Sequence, residues 1–203
     1  MNAEINGNIS GVILAGGENR RYGGTNKWNT LIGGSTIISR IVSGISEIFG
    51  EIIIVTNTPG EFLTFTTCKI AGDLIKKAGP LGGIHSAMSV SSKESLFVIA
   101  GDMPFPDKDI ITGQIRLYST SKAEAVVPRI NGKAEPLFAI YDNSIFNKLN
   151  CYLSVENKYG VIDFLQNLNV NYIDLPNTDA TKRAFFNVNT PEEATEAEGL
   201  ALI

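Results

Sequence analysis

The 203-residue chain is short of the side chains that do most nucleophilic and metal chemistry. It has two cysteines, Cys68 and Cys151, far apart and in no CxxC spacing, and a single histidine, His85. A zinc site or a Cys/His nucleophile pair is therefore poorly supplied. Two packed free thiols of a cytosolic protein are the expectation for the cysteines, with a disulfide as the alternative. His85, with nothing nearby to complete a nucleophile–base pair, reads as a helix-surface or capping residue rather than a catalyst. Long apolar runs are missing too. "GVILAGG" is too short for a signal or a membrane span, and "MNAEINGNIS" has no basic n-region, so the cytoplasm is the expected address. Cationic charge is sparse: 17 Lys and Arg against 21 Asp and Glu give a net charge of −4. That balance speaks against a nucleic-acid coat or a membrane-surface binder. Any positive site must be local, held in a loop or cleft.

Glycine, by contrast, is plentiful at 20 residues, which points to loops built for close backbone approach. The length suits one domain with a sizeable core. Apolar β-rich runs alternate with helix-period segments. "SGVILA" (10–15), "EIIIVT" (51–56), "CKIAG" (68–72) and "SLFVIAGDMP" (95–104) read as strands. "STIISRIVSGISEIFG" (35–50) reads as a helix, with Ser35 as N-cap and Gly50 as stop. "NTPGEFLTF" reads as a turn with a short helix, and "GPLGGIHSAMSV" (79–90) as a Gly/Pro turn opening another helix. Near-continuous apolar strands separated by helices imply parallel βαβ units in a doubly wound sheet. After about residue 105 the pattern changes. "AEAVVPRINGKAEPLFAIYD" (123–142) predicts two strands around an Asn-Gly turn. "VNYIDLP" (170–176) and "AFFNVNT" (184–190) predict further strands, and "PEEATEAEG" (191–199) a helix with Pro at its first position. One mixed α/β domain over 1–203 is expected, with a nucleotide-binding half (8–105) and an acceptor-binding half (106–203).

Behind the first strand comes "LAGGENRRYGGTNK" (14–27), four glycines and three cations in one loop. Its entropy and repulsion costs need an offset, and an anion gripped by backbone N–H groups supplies one. The spacing fits neither GxGxxG nor the Walker A string. What remains is a loop in which Gly16 and Gly17 let N–H groups approach a triphosphate, while Arg21 and Lys27, with Arg20 nearby, meet the phosphate charge. A plain solvated loop is the alternative. Asp102 at the tip of "LFVIAGDMPF" stands on the same carboxyl edge, where a carboxylate can hold Mg2+; a helix N-cap or Asx turn is its bland reading. "GPLGG" (79–83) is suited to main-chain contact with a flat base, and Asp73 just upstream can accept from a base N–H or a ribose hydroxyl. Trp28 either closes over a base or packs, and Tyr118 and Phe164 read as core.

Taken in order, these segments resemble the nucleotidyltransferase superfamily that makes sugar-nucleotide and cofactor-nucleotide diesters. Within it they are most similar to the molybdenum cofactor guanylyltransferases. The resemblance runs through "LAGGENRRYGGTNK", "GPLGG", "GDMP", "EPLFAIY" and "FFNVNTPEE", from about residue 11 to 194. Arg21 and Lys27 fall on the signature Arg and Lys. Tyr22 replaces the signature Met, and Asn26 the acid before the Lys.

The resemblance implies a three-layer α/β/α, Rossmann-like GT-A-like fold with a mostly parallel central sheet and a small hairpin extension. It implies transfer of GMP from GTP to the terminal phosphate of molybdopterin, with release of pyrophosphate. Arg21, Lys27 and Asp102 would be catalytic, with Asp102 holding Mg2+ or Mn2+. Leu14, Ala15, Gly16, Gly17, Lys27, Asn57, Asp73 and Gly82 would bind GTP. Asn187 and Asn189, read as one face of a strand, would meet molybdopterin, unless Asn189 caps the helix that starts at Pro191. Glu135 and Pro136 would shape the acceptor wall, and Arg129 and Lys133 would meet the acceptor phosphate. Partners would be GTP, molybdopterin and other proteins of the cofactor pathway, with no nucleic acid or membrane, and the chain a monomer or weak oligomer. A molybdopterin cytidylyltransferase, a sugar-1-phosphate nucleotidyltransferase and a catalytically silent nucleotide-binding module are the alternatives. The LAGG start favours guanine over cytosine.

Overall fold

Strands that are apolar on both sides need cover on both faces, and the chain folds to supply it. The computed structural model describes residues 7–16, 27–155 and 160–202. Ten strands are present among them: β1 (Ile9–Leu14), β2 (Leu31–Ile32), β3 (Ser35–Thr36), β4 (Ile52–Val55), β5 (Lys69–Ala71), β6 (Ser95–Ala100), β7 (Ala125–Ile130), β8 (Lys133–Ala134), β9 (Phe138–Asp142) and β10 (Val170–Leu175). The helices are α1 (Ile37–Ser46), α2 (Gly79–Val90), α3 (Lys108–Thr120), α4 (Phe146–Val155), α5 (Val161–Leu165), α6 (Asp179–Ala184) and α7 (Pro191–Leu200). No helix among the described residues is long and apolar enough to cross a membrane.

The main sheet has the order β10-β7-β9-β6-β1-β4-β5, with β8 added beside β7. β1 is its hub, parallel to both β4 and β6, so that Ile13 lies opposite Ile54 on one side and Ile99 on the other. β9 is antiparallel to both of its neighbours, β6 and β7. β7 and β10 therefore point the same way as β6 and β1, and their carboxyl ends share one edge of the sheet. Alternation along β1 divides the core: Ile9 and Ile13 join a cluster built with α1, α3 and α7, and Val12 joins one built with α2, α4 and α5. The expected three-layer arrangement with a mostly parallel sheet is the one observed.

Several local expectations are revised. Ser35 does not cap α1: it belongs to a two-strand hairpin with Leu31–Ile32, and Thr36 is the N-cap, accepting from Ser39 N. The hairpin turn is Gly33-Gly34, both at positive φ (57° and 77°), the pairing that two-residue turns favour. The Asn131-Gly132 turn forms as predicted, again with both φ positive. The strand after it is broken, however. Glu135 to Leu137 are not strand, although Glu135 N–H still donates to Pro128 O (2.9 Å) and Leu137 O accepts from Ala100 N–H (2.8 Å); β9 begins at Phe138, so Glu135 and Pro136 do not begin a strand. Residues 184–190 are not a strand either. Thr178 caps α6, which ends at Ala184, and the next segment buries Phe185 and Val188 while the Val188 N–H donates to the Asp102 carbonyl (2.9 Å). "GPLGG" is not a turn but the first part of α2. His85 is not at the surface: it is buried on α2 and stacked on Phe146 of α4 at 4.8 Å. Both cysteines are free, Cys68 half-buried and Cys151 exposed rather than packed.

The amino edge of the sheet is tied together by one carboxylate. Glu51, just before β4, accepts from the Ser10 hydroxyl (2.6 Å) and from Ser92 N–H and O–H (3.0 and 2.8 Å), and pairs with Lys69 on β5. Burial pushes this carboxyl up, but the bonds from Lys69, Ser10 and Ser92 outweigh it and hold it at about 2. A carboxyl lowered on folding stabilises above its unfolded pKa and loses that stabilisation as pH falls through the folded value. Glu51→Gln is accordingly expected to cost about 1–2 kcal/mol near neutrality, after allowance for solvent screening. Urea titrations should show the gap between the variant and the native protein closing as pH drops from about 4.5 towards about 2. A gap that stays constant over that range would mean that the charge on Glu51 contributes nothing.

Candidate active site

Because β1, β4 and β6 are adjacent and parallel, the residues that follow them emerge side by side. Open sheets of this type bind ligands at that edge. Ladder-like bonds extend past the strand ends: Ala15 N–H donates to Val55 O (2.9 Å), Gly101 N–H to Leu14 O (3.0 Å) and Thr56 N–H to Ala71 O (2.8 Å). Leu14, Ala15 and Gly16 thus lie next to Asp102, with Ala15 buried and Gly16 exposed. Among the described residues, a side chain at Gly16 would meet nothing within 4 Å. Gly101 serves a different end. A Cβ there would stand 2.9 Å from the Leu14 carbonyl and 2.9 Å from the Trp28 ring. Trp28 is buried in the core; it packs beneath this edge and does not close over a base.

Lys27, one residue earlier, reaches across the ring face of Trp28, its Nζ 4.6 Å from the ring centre. That ammonium donates to Asp102 Oδ2 (3.0 Å) and to Asn189 Oδ1 (3.3 Å). Lys27 and Asp102 side chains are each 18% exposed, sheltered but reachable. Three distant parts of the chain therefore meet at one cation. Asp102 Oδ1 is buried and has no hydrogen-bond partner among the described residues. It is an open acceptor, as a metal-binding carboxylate oxygen must be. No group of three or more His, Cys, Asp or Glu side chains that could hold a metal ion occurs among the described residues, so a cation here would rely on Asp102, water and ligand oxygens, the habit of Mg2+. Asp102 is not a helix cap; Asp107 caps α3.

Asn189 is held from behind. Glu193 Oε2 accepts from Asn189 N–H (2.6 Å) and Thr190 N–H (3.0 Å), while Glu193 N–H donates to Thr190 Oγ1. This capping box starts α7 at Thr190, so Asn189 is not the cap and its side chain is free to face Lys27. Glu193 as the residue that fixes Asn189 was not singled out from sequence, although the Thr-x-x-Glu spacing in "TPEE" signals it. Asn187 lies close by, but its amide donates to its own segment, at Phe185 O (3.0 Å).

A second group gathers beyond β4. Asn57 Nδ2 donates to Asp73 Oδ2 (2.7 Å), and Asp73 N–H donates back to Asn57 Oδ1 (3.3 Å). The structure brings these two together. The glycines of α2 let that helix come close. A Cβ at Gly83 would stand 2.9 Å from Leu14 Cδ2 and 3.9 Å from Asp73 Oδ1; one at Gly82 would collide with the Ile75 carbonyl at 2.9 Å. Gly82 is buried against that turn.

The hairpin cations are engaged elsewhere. Arg129 makes a two-pronged bond to Asp174 on β10 (2.9 and 2.8 Å) and lies over Tyr172, and Lys133 pairs with Glu135. Gly17, Arg20, Arg21, Tyr22 and Asn26 lie outside the described residues.

An exposed glycine backbone, a Lys–Asp pair and an Asn–Asp pair share the carboxyl edge of a mostly parallel sheet, and this is the layout of a GT-A-like nucleotidyltransferase. A model of the MobA-like NTP transferase domain matches residues 11–170, and the chain belongs to that family. Curated relatives match over nearly the whole length. A "probable molybdenum cofactor guanylyltransferase" of Natranaerobius thermophilus is 34% identical over 201 residues, 94% of this chain and 95% of that one. The molybdenum cofactor guanylyltransferase of Desulfosudis oleivorans is 32% identical, with 94% of each chain covered. Among solved structures, molybdopterin-guanine dinucleotide biosynthesis protein A from Archaeoglobus fulgidus superposes with a TM-score of 0.78 at 25% identity, covering 95% of this chain and 98% of that one.

Gly101→Ala tests how tightly this edge is built. The added methyl meets backbone that cannot rotate away, and overpacking of this kind costs about 1–3 kcal/mol. Chemical denaturation should register that loss, together with reduced activity because Asp102 is the adjoining residue. Unchanged stability would mean that the Leu14–Gly101 approach is loose.

Proposed function

We propose that this chain is a molybdenum cofactor guanylyltransferase: it joins the GMP moiety of GTP to the terminal phosphate of molybdopterin and releases pyrophosphate. The observation that carries the proposal is the double contact of Lys27, which binds Asp102 on the nucleotide side and Asn189 on the other. One cation thus stands where two substrates would have to be brought together.

A phosphate monoester is largely ionised at pH 7, with its second pKa near about 6. Attack on the α-phosphorus of GTP therefore needs no strong base, in keeping with a cleft to which no histidine or cysteine contributes among the described residues. Catalysis rests on placement and charge. The backbone from Leu14 to Gly16, with Gly17, receives the triphosphate. Lys27 and Arg21 meet the negative charge that grows on the leaving pyrophosphate. Asn57 and Asp73 bind the guanine and ribose beside Gly82, and Asn187 and Asn189 orient molybdopterin. Asp102, through its open oxygen, would hold Mg2+ or Mn2+, which when bound supplies Lewis-acid neutralisation of phosphate charge.

The direct test is incubation with GTP, Mg2+ and molybdopterin, read as pyrophosphate and dinucleotide. Removal of one electrostatic contact in such a site costs on the order of 100- to 1000-fold in rate. Lys27→Ala and Asp102→Ala should each fall by that factor with folding intact by circular dichroism. Turnover within a few-fold of the native enzyme would refute the roles given to them. GTP should raise the melting temperature where CTP and UTP do not; a CTP response would favour the cytidylyltransferase. Tight GTP binding with no pyrophosphate release would favour a silent module.

A further inference from the structure

Behind the loop that carries Asp102 lies a second hollow, between α1, residues 104–107 and the end of α6, with a volume of about 390 Å3. That is the size of a small-ligand site. Two arginines line it. The guanidiniums of Arg40 and Arg183 both lie over the ring of Phe105, 5.0 and 4.8 Å from its centre. The two charges therefore stand no more than about 10 Å apart, close to a Debye length at physiological salt.

Among the described residues no acid forms an ion pair with them. Neither guanidinium has a carboxylate within 4.0 Å. The Nε of each is buried and without a hydrogen-bond partner, and Arg40 spends Nη1 on the Ile32 carbonyl (3.0 Å). The acid in the wall, Asp107, uses Oδ1 to cap α3. Glu198 acts on Arg40 only from a distance, its Oε2 taking the Gly33 N–H. Burial and the charge of Arg183 both pull Arg40 below its ordinary pKa, against Glu198. Contact with Phe105 offsets part of this cost, but it gives the stranded N–H groups no acceptor. The hydroxyl-bearing Ser39 and Ser43, four residues apart on one face of α1, line the same wall.

An anion that repairs this arrangement must carry about two charges and several acceptor oxygens, and guanidinium forks match phosphate in both respects. We propose that the hollow between α1 and α6 is a second anion site, which takes a phosphate dianion, free or as a phosphomonoester, on Arg40 and Arg183. It is separate from the nucleotide cleft and does not depend on which substrates that cleft accepts. Its walls run directly into the catalytic segments: residue 104 follows Asp102 by two, and Ala184 leads through Val188 to Asn189. An occupant would brace both.

Calorimetric titration of the full chain with inorganic phosphate, and separately with GMP, tests the site. The native protein and Lys27→Ala should bind phosphate equally. Arg40→Gln/Arg183→Gln should bind it about tenfold or more weakly, since charged hydrogen bonds are lost. Ser43→Asp, at an exposed position of the rim, leaves both arginines in place but adds a repelling charge, and should weaken phosphate to a similar degree even if the double variant does not fold. The folded Arg40, Arg183 and Ser43 variants should keep the thermal shift given by GTP. GMP binding by Lys27→Ala that Ser43→Asp abolishes would assign the site to phosphomonoesters, and a response to phosphate alone would assign it to the free anion. Phosphate binding that Lys27→Ala loses but Ser43→Asp keeps would overturn the proposal, as would no binding at all.

Discussion

The cleft is organised by the ion pair between Lys27 and Asp102, and that pair exists because β1 and β6 are parallel neighbours. Parallel pairing in register brings the ends of both strands out at one level, so the chain after Leu14 and the chain after Ala100 are side by side. The tight approach of Gly101 to Leu14 then sets Asp102 at the rim, and the buried ring of Trp28 gives the Lys27 stem a surface to lie on. Asn189 is added by a different route. The Val188 N–H bonds the Asp102 carbonyl, and the Glu193 carboxylate grips the backbone from the other side. A carboxylate, an ammonium and an amide from three parts of the chain thus converge through backbone constraints.

The two edges of the sheet are built on opposite terms. At the amino edge, Glu51 is saturated with donors from Ser10, Ser92 and Lys69. At the carboxyl edge, Asp102 keeps one oxygen without a partner among the described residues, and Gly16 is exposed. Satisfied polar groups secure the amino edge, whereas at the carboxyl edge an acceptor is left unused.

Much of this is legible in the sequence. The apolar runs of β1, β4 and β6 announce a buried parallel sheet, Asn131-Gly132 announces its turn, and Asp102 stands out by its place at the tip of a strand on the carboxyl edge. Errors arise where one pattern serves two structures. "AFFNVNT" alternates as a strand does, yet its aromatics plug the core beside Asp102 and its backbone finds no ladder. "GPLGG" has a turn's composition, but its glycines let a helix close on Leu14 and on the turn before it. Ser35 looks like a cap on paper, but the helix starts one residue later, and Thr36, the last residue of the Gly33-Gly34 hairpin, caps it. Arg129 is written beside a hairpin, and only the neighbouring β10 reveals that Asp174 holds it. Pairings between remote segments, such as Asn57 with Asp73, need the fold before they can be seen.

The broken strand after β7 has an architectural meaning. β8 pairs only with β7, through Arg129–Ala134 and Ile130–Lys133, and across the break the chain stays attached: Glu135 N–H donates to Pro128 O (2.9 Å) and Leu137 O accepts from Ala100 N–H (2.8 Å) before β9 enters between β7 and β6. The break therefore leans on the end of β6, the strand that presents Asp102, through the Ala100 N–H bond to Leu137 O. A change of length at Asn131-Gly132 would be passed on to the Asp102 edge through that bond rather than stop at the hairpin.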